Sequence, residues 1–589
     1  MDNPKPKEII QAEELISNGK TEEALEIVRK FQLTAWSYYF QMEFNKVLEI
    51  ALKSKELIEK IGNDADIAYN FFLLGHAYLV RGDFKLSLDF GMRSLKLRDT
   101  TDKRGDIGAS LSLVGLAHWM IGNFNQAIEF CERSLTFSEI TLRIKADNLN
   151  VIGNCYILKG ELRKALKYSK EGIKIANEGN FHDLSVSFNF YLGVIYTFMD
   201  DYDHAIKYLK INLEDSKLPI RNKTIYKGFS LLFLITIFNE TSDYLESHKY
   251  LNQLKELADQ KKRKLLTDTF LVAKGSLLYL ESGRTRDRAE AERLFKEVVI
   301  EGVNLRGGAT NLLLYLYSLY GLIRIYIDEL RMSNDLEIIK EINPLIDRLF
   351  YLADKTKSNL LSTEVALFRS KLSLVQLNFD EAKLLMTQAQ EIAESNNIQF
   401  LAHRISNHHD DLLKQQDHWK RLRNKNAPLS ERIEMASFEG VLDGIRGKIS
   451  DDLPEFISEQ PILLLILAEG GVLLFSFPFA KDWKHDTEIF GSFLSAFSSF
   501  SDEFFTKGLD RVKFGDDILL IQSLAPFSFG YLYKGQTYPA KQKLTNFIER
   551  IQNTPSIWQA LERYHKTSQV AEVKDLPQIE ILIKEIFNI

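Results

Sequence analysis

Cysteine is almost absent: 589 residues hold two, Cys131 and Cys155. A disulfide framework is thereby excluded, and a reducing, cytoplasmic setting is expected. Proline is scarce at 12 and glycine modest at 31, so a long chain with few breakers leans helical. Neither charge sign dominates, with 75 Lys+Arg against 81 Asp+Glu for a net −6. That balance excludes a broad basic footprint, and no nucleic-acid partner is expected. Met1 to Glu8 is polar with no apolar stretch behind it, so no leader is read. Long apolar runs are missing but for Pro461 to Phe479, PILLLILAEGGVLLFSFPF. Its length would span a bilayer, yet Glu469-Gly470-Gly471 sits at the centre, where a charge and two glycines are costly. The run reads as a buried β-hairpin turning at Gly470-Gly471, and no integral membrane span is expected.

Catalytic signatures are lacking too. The chain has no G-x-x-x-x-G-K-[ST], no G-x-G-x-x-G opening a helix, no H-E-x-x-H, no C-x-x-C and no G-x-S-x-G. No catalytic residue, metal ligand or cofactor is assigned, and a non-enzymatic protein is expected. The densest ligand-like cluster is His403, His408, His409, Asp410, Asp411 and His418. Only His408 with Asp411 has the helical spacing at which two ligands converge, so this helix reads as a solvated cap. Cys131 and Cys155 fall in apolar helices and read as small core fillers.

What is present is a repeat. Segments from Tyr69, Ala109, Asp147 and Ser187 align on one template, with glycines at Gly75, Gly115, Gly153 and Gly193, separated by 40, 38 and 40 residues. Seven residues on come Gly82, Gly122, Gly160 and Asp200, marking a turn. A small residue follows at Ser87, Ala127, Ala165 and Ala205, and an aromatic at Phe90, Phe130, Tyr168 and Tyr208. Each unit is a helical hairpin whose small residues let two helices approach and whose aromatics fill the gap. No such hairpin buries its apolar face alone, so units must stack. Weaker copies flank these four, one marked by Gly275, Gly283 and Ala289. The pattern resembles the tetratricopeptide repeat, with a period longer than that family's usual ~34 residues. A mostly α-helical superhelical solenoid over residues 4–423 is expected, followed by a linker at 424–429 containing Asn426-Ala427-Pro428.

From 430 to 589 the pattern changes. A helix is read from Ser430 to Ile449. Strands are read at Ile462–Leu467, Val472–Phe477, Leu509–Phe514, Ile518–Leu524 and Phe527–Tyr533, and a helix at Lys541–Gln552. Between them Phe490, Phe493, Phe497, Phe500 and Phe504 repeat at helical spacing, a stripe read as core over a sheet. The order resembles the longin and roadblock-like α/β modules, which implies a five-stranded antiparallel sheet covered by helices. It also implies partners such as small GTPases or trafficking regulators, and pairing with a like module or as a homodimer. Asp451 to Ile589 holds 13 Lys+Arg and 19 Asp+Glu, so the whole chain's net −6 sits there.

The repeat resemblance implies a concave groove lined by the first helix of each hairpin. Its positions, three before and one after the first glycine, are Phe72 and His76, Ser112 and Leu116, Asn150 and Asn154, Phe190 and Val194, with Trp119 further along the same face. Asn150 and Asn154 match the groove asparagines with which related adaptors hold a bound backbone, since a carboxamide both donates and accepts. The expected function is a non-enzymatic protein–protein adaptor or scaffold, its groove taking a protein or peptide segment and its C-terminal module a second partner. The alternative is a regulatory sensor whose C-terminal module is a dimerisation platform.

Overall fold

A computed structural model describes residues 6–41, 43–99, 104–214, 223–300, 308–396, 398–425, 427–438, 441, 459–468, 472–479, 511–514, 517–535, 537–567 and 569–587. Contacts gather the chain into two compact units, Met1–Gln376 with Pro428–Asp451, and Leu377–Ala427 with Asp452–Ile589.

The first unit is a run of antiparallel helices. It opens with α1 (Lys7–Ser17), α2 (Thr21–Phe40), α3 (Phe44–Ile61), α4 (Asp64–Arg81), α5 (Phe84–Arg98) and α6 (Arg104–Ile121). It continues with α7 (Phe124–Leu135), α8 (Leu142–Lys159), α9 (Leu162–Glu178), α10 (His182–Phe198), α11 (Tyr202–Ile211) and α12 (Lys223–Glu240). Then come α13 (Tyr244–Lys261), α14 (Lys264–Glu281), α15 (Thr285–Ile300), α16 (Gly308–Ser333), α17 (Ile339–Thr356) and α18 (Asn359–Val375). Each helix packs on its sequence neighbours, and even-numbered helices also touch, so the architecture is a tetratricopeptide-like helical repeat.

The template residues have physical jobs. A Cβ added to Gly115 would stand 2.5 Å from Cys131 Sγ, and one on Gly193 2.5 Å from Leu209. The absence of a side chain is what lets each helix pair close. The turn marks Gly82, Gly122, Gly160 and Asp200 all have positive φ, the left-handed conformation that ends a helix and favours glycine. The next helix begins on a cap such as Asp83, Asp201 or Asp243, whose carboxylate accepts from a first-turn N–H. The aromatics form a recurring rung: Tyr78 on Phe90, His118 on Phe130, Tyr156 on Tyr168, Tyr196 on Tyr208 and Phe238 on Tyr250. These pairs stack with centroids 5.4–5.8 Å apart.

The run also returns on itself. Leu360 lies where a Cβ on Gly160 would stand, and Ser358 Oγ donates to the Leu158 carbonyl at 3.3 Å. Helices α16 and α18 thus touch α6 and α8. Consistent with that, α10 is buried at every residue from Val186 to Phe198, and α12 from Gly228 to Ile237. A helix apolar all round is the sequence counterpart of such enclosure. The segment from Pro428 carries α22 (Leu429–Ala436), after helices α19 (Phe379–Ser395), α20 (Gln399–Lys414) and α21 (Gln416–Lys425) of the second unit. The helix read from Ser430 to Ile449 is described as α22, with Phe438 and Val441 buried beyond it. Residues 442–450 lie outside the described ones.

The second unit sets α19, α20 and α21 beside an antiparallel sheet and three C-terminal helices, Thr537–Gln552, Pro555–Thr567 and Pro577–Phe587. The run PILLLILAEGGVLLFSFPF forms β1 (Gln460–Ala468) and β2 (Leu473–Pro478), paired antiparallel with Leu465 opposite Ser476. With β4 (Asp517–Leu524) and β5 (Phe527–Lys534) they make the four strands that carry the core. The third piece, β3 (Arg511–Phe514), is a four-residue edge beside β4, in the order β2-β1-β5-β4-β3. The expected sheet is five-stranded and antiparallel; four strands of six to nine residues form its body, and the fifth segment, β3, is a four-residue edge paired to β4 alone. Side chains alternate as a pleat requires. Leu464, Ile466, Phe529, Tyr531 and Tyr533 face the three helices, while Leu463, Leu465, Leu519 and Leu532 are buried on the other face. The Phe490–Phe504 stripe and the turn at Gly470-Gly471 lie outside the described residues. Among the described residues no helix is long and apolar enough to cross a membrane.

The histidine-rich helix differs from its reading as a solvated cap. His403, His409 and Asp410 are buried. Asp410 accepts from Thr537 at both the backbone N–H, 3.3 Å, and the hydroxyl, 2.6 Å. Tyr533 in turn donates to Thr537 Oγ1 at 2.6 Å. The helix is an internal support whose polar residues face a neighbour within its unit.

Candidate functional site

The groove residues read from sequence sit on α4, α6, α8 and α10. On α4, Phe72 is buried beneath the Arg98 guanidinium, 4.8 Å from the ring centroid. His76 is half-buried against Trp36, centroids 5.3 Å apart, and Phe72, 4.7 Å. Trp36 donates from Nε1 to the Tyr69 hydroxyl at 2.9 Å. Ser112, Leu116 and Trp119 are half-buried along α6. The structure brings the two asparagines into an inter-helix polar network. Asn150 Nδ2 donates to Ser187 Oγ at 2.8 Å, and Ser187 lies 3.1 Å from the Tyr226 hydroxyl. Asn154, 1% exposed, accepts from Trp119 Nε1 at 3.3 Å. Burial pushes the nearby Tyr191 hydroxyl well above the ordinary tyrosine range. Phe190 and Val194 are not brought to that face. Both are fully buried, Phe190 packing on Tyr226, Phe229 and Phe233.

A cavity of about 30 Å³ lies between α12, α14 and α16. Helix α12 contributes Thr236, Asn239 and Glu240, spaced i, i+3 and i+4 and so on one side. Helix α14 contributes Ser276 and Tyr279, again three apart. Helix α16 contributes Tyr317, Tyr320, Gly321 and Arg324, a stripe at i, i+3, i+4 and i+7. Phe295 of α15 fills the space beside two glycines; a Cβ on Gly275 would meet its ring at 3.1 Å and one on Gly321 at 2.5 Å.

The polar groups of this cavity are of two kinds. Some are engaged. Arg324 donates from Nη1 to the Tyr320 hydroxyl at 3.2 Å and its guanidinium lies 5.4 Å from the Tyr279 ring centroid. Tyr279 donates to Asp328 Oδ2 at 2.5 Å, and burial first, then that carboxylate, pushes its pKa up. Asn239 is of the other kind. It is 4% exposed, and neither Nδ2 nor Oδ1 has a hydrogen-bond partner among the described residues. A buried carboxamide left open on both sides is costly, which makes it a group complementary to something that pairs with it.

The template already held part of this site. Counting from Gly275 as from Gly75, the groove positions one and four residues on are Ser276 and Tyr279, the counterparts of His76 and Leu79. Asn239 left no such signal, because Phe233 stands 40 residues after Gly193 where a glycine marker would be.

No family model matches the chain, and no curated protein matches it. Among solved structures it is similar to a Rap protein complexed with competence and sporulation factor, at 13% identity and TM-score 0.40, covering 71% of this chain and 99% of that one. It is similar to the apo form of RapI at 14% identity and TM-score 0.39, covering 60% and 98%. It is also similar to the tetratricopeptide domain of P58(IPK), at 14% identity and TM-score 0.18, covering 65% and 98%. Superpositions this loose leave the repeat architecture resting on the helix pairs and glycine contacts described above.

Proposed function

We propose that this protein is a non-enzymatic adaptor that holds a segment of a partner protein against the even-numbered helices of its repeat unit. The observation that carries the reading is the cavity between α12, α14 and α16. It opens at the register where each repeat offers its first helix, and it combines tyrosine rings with a buried, unpaired carboxamide. Rings and amides bind peptide chain without reacting with it. The aromatic cluster of Trp36, Phe72 and His76, with Ser112, Leu116 and Trp119, supplies further surface for the same segment. The network of Asn150 and Asn154 sets the spacing of the helices that carry it.

The test is a photo-reactive amino acid placed at Ser276 on the cavity and, as control, at Lys249 on the exposed side of α13. The adaptor reading expects a discrete cross-linked peptide from Ser276 and none from Lys249. Equal labelling from both positions, or none from either, sinks it. For the C-terminal unit the reading is a longin- or roadblock-like platform for a second partner such as a small GTPase. The order of two strands, then three, then a helix supports it. Capture of a GTPase by the full chain, lost when Lys534 and Asp517 at the β4–β5 rim are changed together, is the expected result.

A further inference from the structure

We infer that the exposed lysine rows of α9 and α11 form a docking surface for an acidic protein segment, one that carries glutamate or aspartate side chains along its length. These are the second helices of two successive hairpins, both packed on α10, so the surface is distinct from the one the adaptor reading assigns to the first helices. The two helices carry seven Lys+Arg against three Asp+Glu, in a chain whose net charge is −6. The repeat places this excess. Two and five residues after the small template residue stand Lys167 and Lys170 in α9 and, 40 residues on, Lys207 and Lys210 in α11. Lys174 continues the α9 row one turn beyond Lys170. All five are exposed, and none makes an ion pair among the described residues.

The two preceding hairpins show the same positions neutralised. There they hold Asp89 and Met92, then Glu129 and Glu132. Arg93 meets Asp89 at 3.0 Å, Arg133 meets Glu129 at 4.0 Å, and Tyr168 donates to Glu132 at 3.0 Å. In α9 the position matching Arg93 and Arg133 is Glu171, but its carboxylate lies 3.7 Å from Lys145 and makes no ion pair with Lys167. In α11 that position is Ile211, and Asp203, the single acid of the helix, makes no ion pair with Lys207 among the described residues. The carboxylates that would balance these lysines therefore have to come from a partner.

The rings between the lysines select the partner's class. Tyr156 stacks on Tyr168 and Tyr196 on Tyr208, centroids 5.7 and 5.8 Å apart. Lys164, Lys167 and Lys170 lie over Tyr156, Tyr168 and Tyr196 at 5.1, 5.9 and 5.7 Å. The rings are occupied by one another and by ammonium groups, whereas single-stranded nucleic acid is held on rings open to its bases. They also steady the lysine stems, which lowers the entropy lost when an ion pair forms. Ile211 is the one exposed large apolar side chain among the described residues of the two helices, too little to anchor in lipid. What remains for recognition is a row of compact point charges, suited to carboxylates met at varied angles.

The test titrates the full chain into a fluorescent glutamate–serine peptide, and into its glutamine–serine counterpart, by anisotropy at low salt. One variant joins Lys167→Gln, Lys170→Gln, Lys207→Gln and Lys210→Gln. The control makes the same charge change at exposed lysines that are paired with acids, Lys30→Gln, Lys46→Gln, Lys249→Gln and Lys340→Gln. The glutamate peptide is expected to bind the parent, to weaken as salt rises, and to lose about tenfold or more in affinity for the first variant, while the control stays within about twofold of the parent. Arginine at the same four positions is expected to keep the binding. The α9 and α11 halves of the variant, made separately, are each expected to lose about threefold, and they carry the test if the combined change does not fold. Equal binding of the glutamate and glutamine peptides, or equal losses in the variant and its control, overturns the inference. Oligouridylate or phosphatidylserine vesicles binding more tightly than the glutamate peptide, through the same four lysines, overturns it in favour of a nucleic acid or a membrane. None of these outcomes depends on cross-linking at Ser276, which probes a first helix.

Discussion

Ser134 of α7 donates to the carbonyl of Gly108 in α6 at 2.7 Å, tying the second helix of a hairpin to the first turns of its own partner. Ser94 makes the same bond to Ala68 at 2.8 Å, and Asn212 to Val186 at 3.1 Å. The separation is 26 residues each time. In the intervening repeat Gly172 stands 26 residues after Ala146, and a Cβ there would collide with the Phe188 ring at 2.1 Å. One register thus takes either a donor that fastens the helix or a glycine that admits a ring.

Ser134 is the sharpest place to test that bond. Its hydroxyl also accepts from Asn148 Nδ2 at 2.8 Å, so Ser134→Ala removes the second bond of a helical carbonyl and strands a buried amide. A loss of about 2–3 kcal/mol is expected by denaturant titration. Ser134→Gly, tolerated at the matching Gly172, should do no better, because the missing hydroxyl and not the Cβ is at fault. A variant as stable as the parent would show the bond to be incidental.

Gly115→Ala should be destabilising by about 1–3 kcal/mol, since its Cβ would fall 2.5 Å from Cys131 Sγ. Adding Cys131→Ala is expected to restore part of the loss by removing the sulfur. The Ala127 carbonyl and Cys131 backbone nitrogen, each 3.2 Å from that Cβ, are backbone and cannot be trimmed, so full recovery is not expected. A double-mutant cycle measured by thermal melts gives the coupling. Strict additivity would mean that the sulfur is not what the added Cβ meets.

These glycines explain how much of the repeat was legible. A helix pair in close contact tolerates no Cβ at the contact, and a left-handed turn residue favours glycine, so both demands are written as residue identity. The stacked rungs are legible for a similar reason, since an aromatic is needed wherever two helices leave a gap. The return of α18 onto α8 was not legible. Leu360 and Gly160 lie 200 residues apart, and no local period encodes such a contact. The enclosure of α10 shows only as a helix apolar on all sides, and Phe190 packs on α12 in the core while its register matched a groove. Asn239 is the complementary case: its place at the floor of a cavity depends on rings from α14 and α16, not on its own neighbours in sequence.

Acid should weaken the repeat unit in two separable windows. His118 is buried against Phe130, and burial holds its pKa below the ordinary 6.5. Protonation therefore favours the unfolded chain. This contribution is whole above about pH 6.5 and lost as pH falls below it. Glu290 accepts from Arg293, 2.9 Å, and Lys274, 3.1 Å, which hold its carboxyl at about 2 against the usual 4.5. Its contribution is present above 4.5 and fades as pH falls toward 2. Melting curves should show His118→Gln flattening the first window and Glu290→Gln the second, the second modestly because the pair is partly solvated. The same slopes in parent and variants would assign the acid loss to other groups.

The last prediction concerns how the segment from Pro428 is fastened. Lys371 of α18 is 2% exposed, and its Nζ donates to the carbonyl of Ala436 at the end of α22, 2.6 Å away. Arg432 of α22 donates in return to the carbonyl of Val375 at the end of α18, at 3.3 Å. Each helix terminus, with its partial negative charge and open carbonyls, is thus met by a cation from the other. Phe438 packs on Phe368 beside them, centroids 5.1 Å apart. Lys371→Met keeps the buried stem and removes the donor and the charge, the cap with them. Amide hydrogen exchange over 429–438 is expected to quicken by about tenfold, a loss of about 1.4 kcal/mol of local protection, while exchange in α4 to α9 stays as in the parent. Arg432→Met should act on the same peptides, and the double variant less than additively, because releasing one end already frees the other. Uniformly faster exchange throughout the unit would instead show that the pair sets global stability and is not a local fastening.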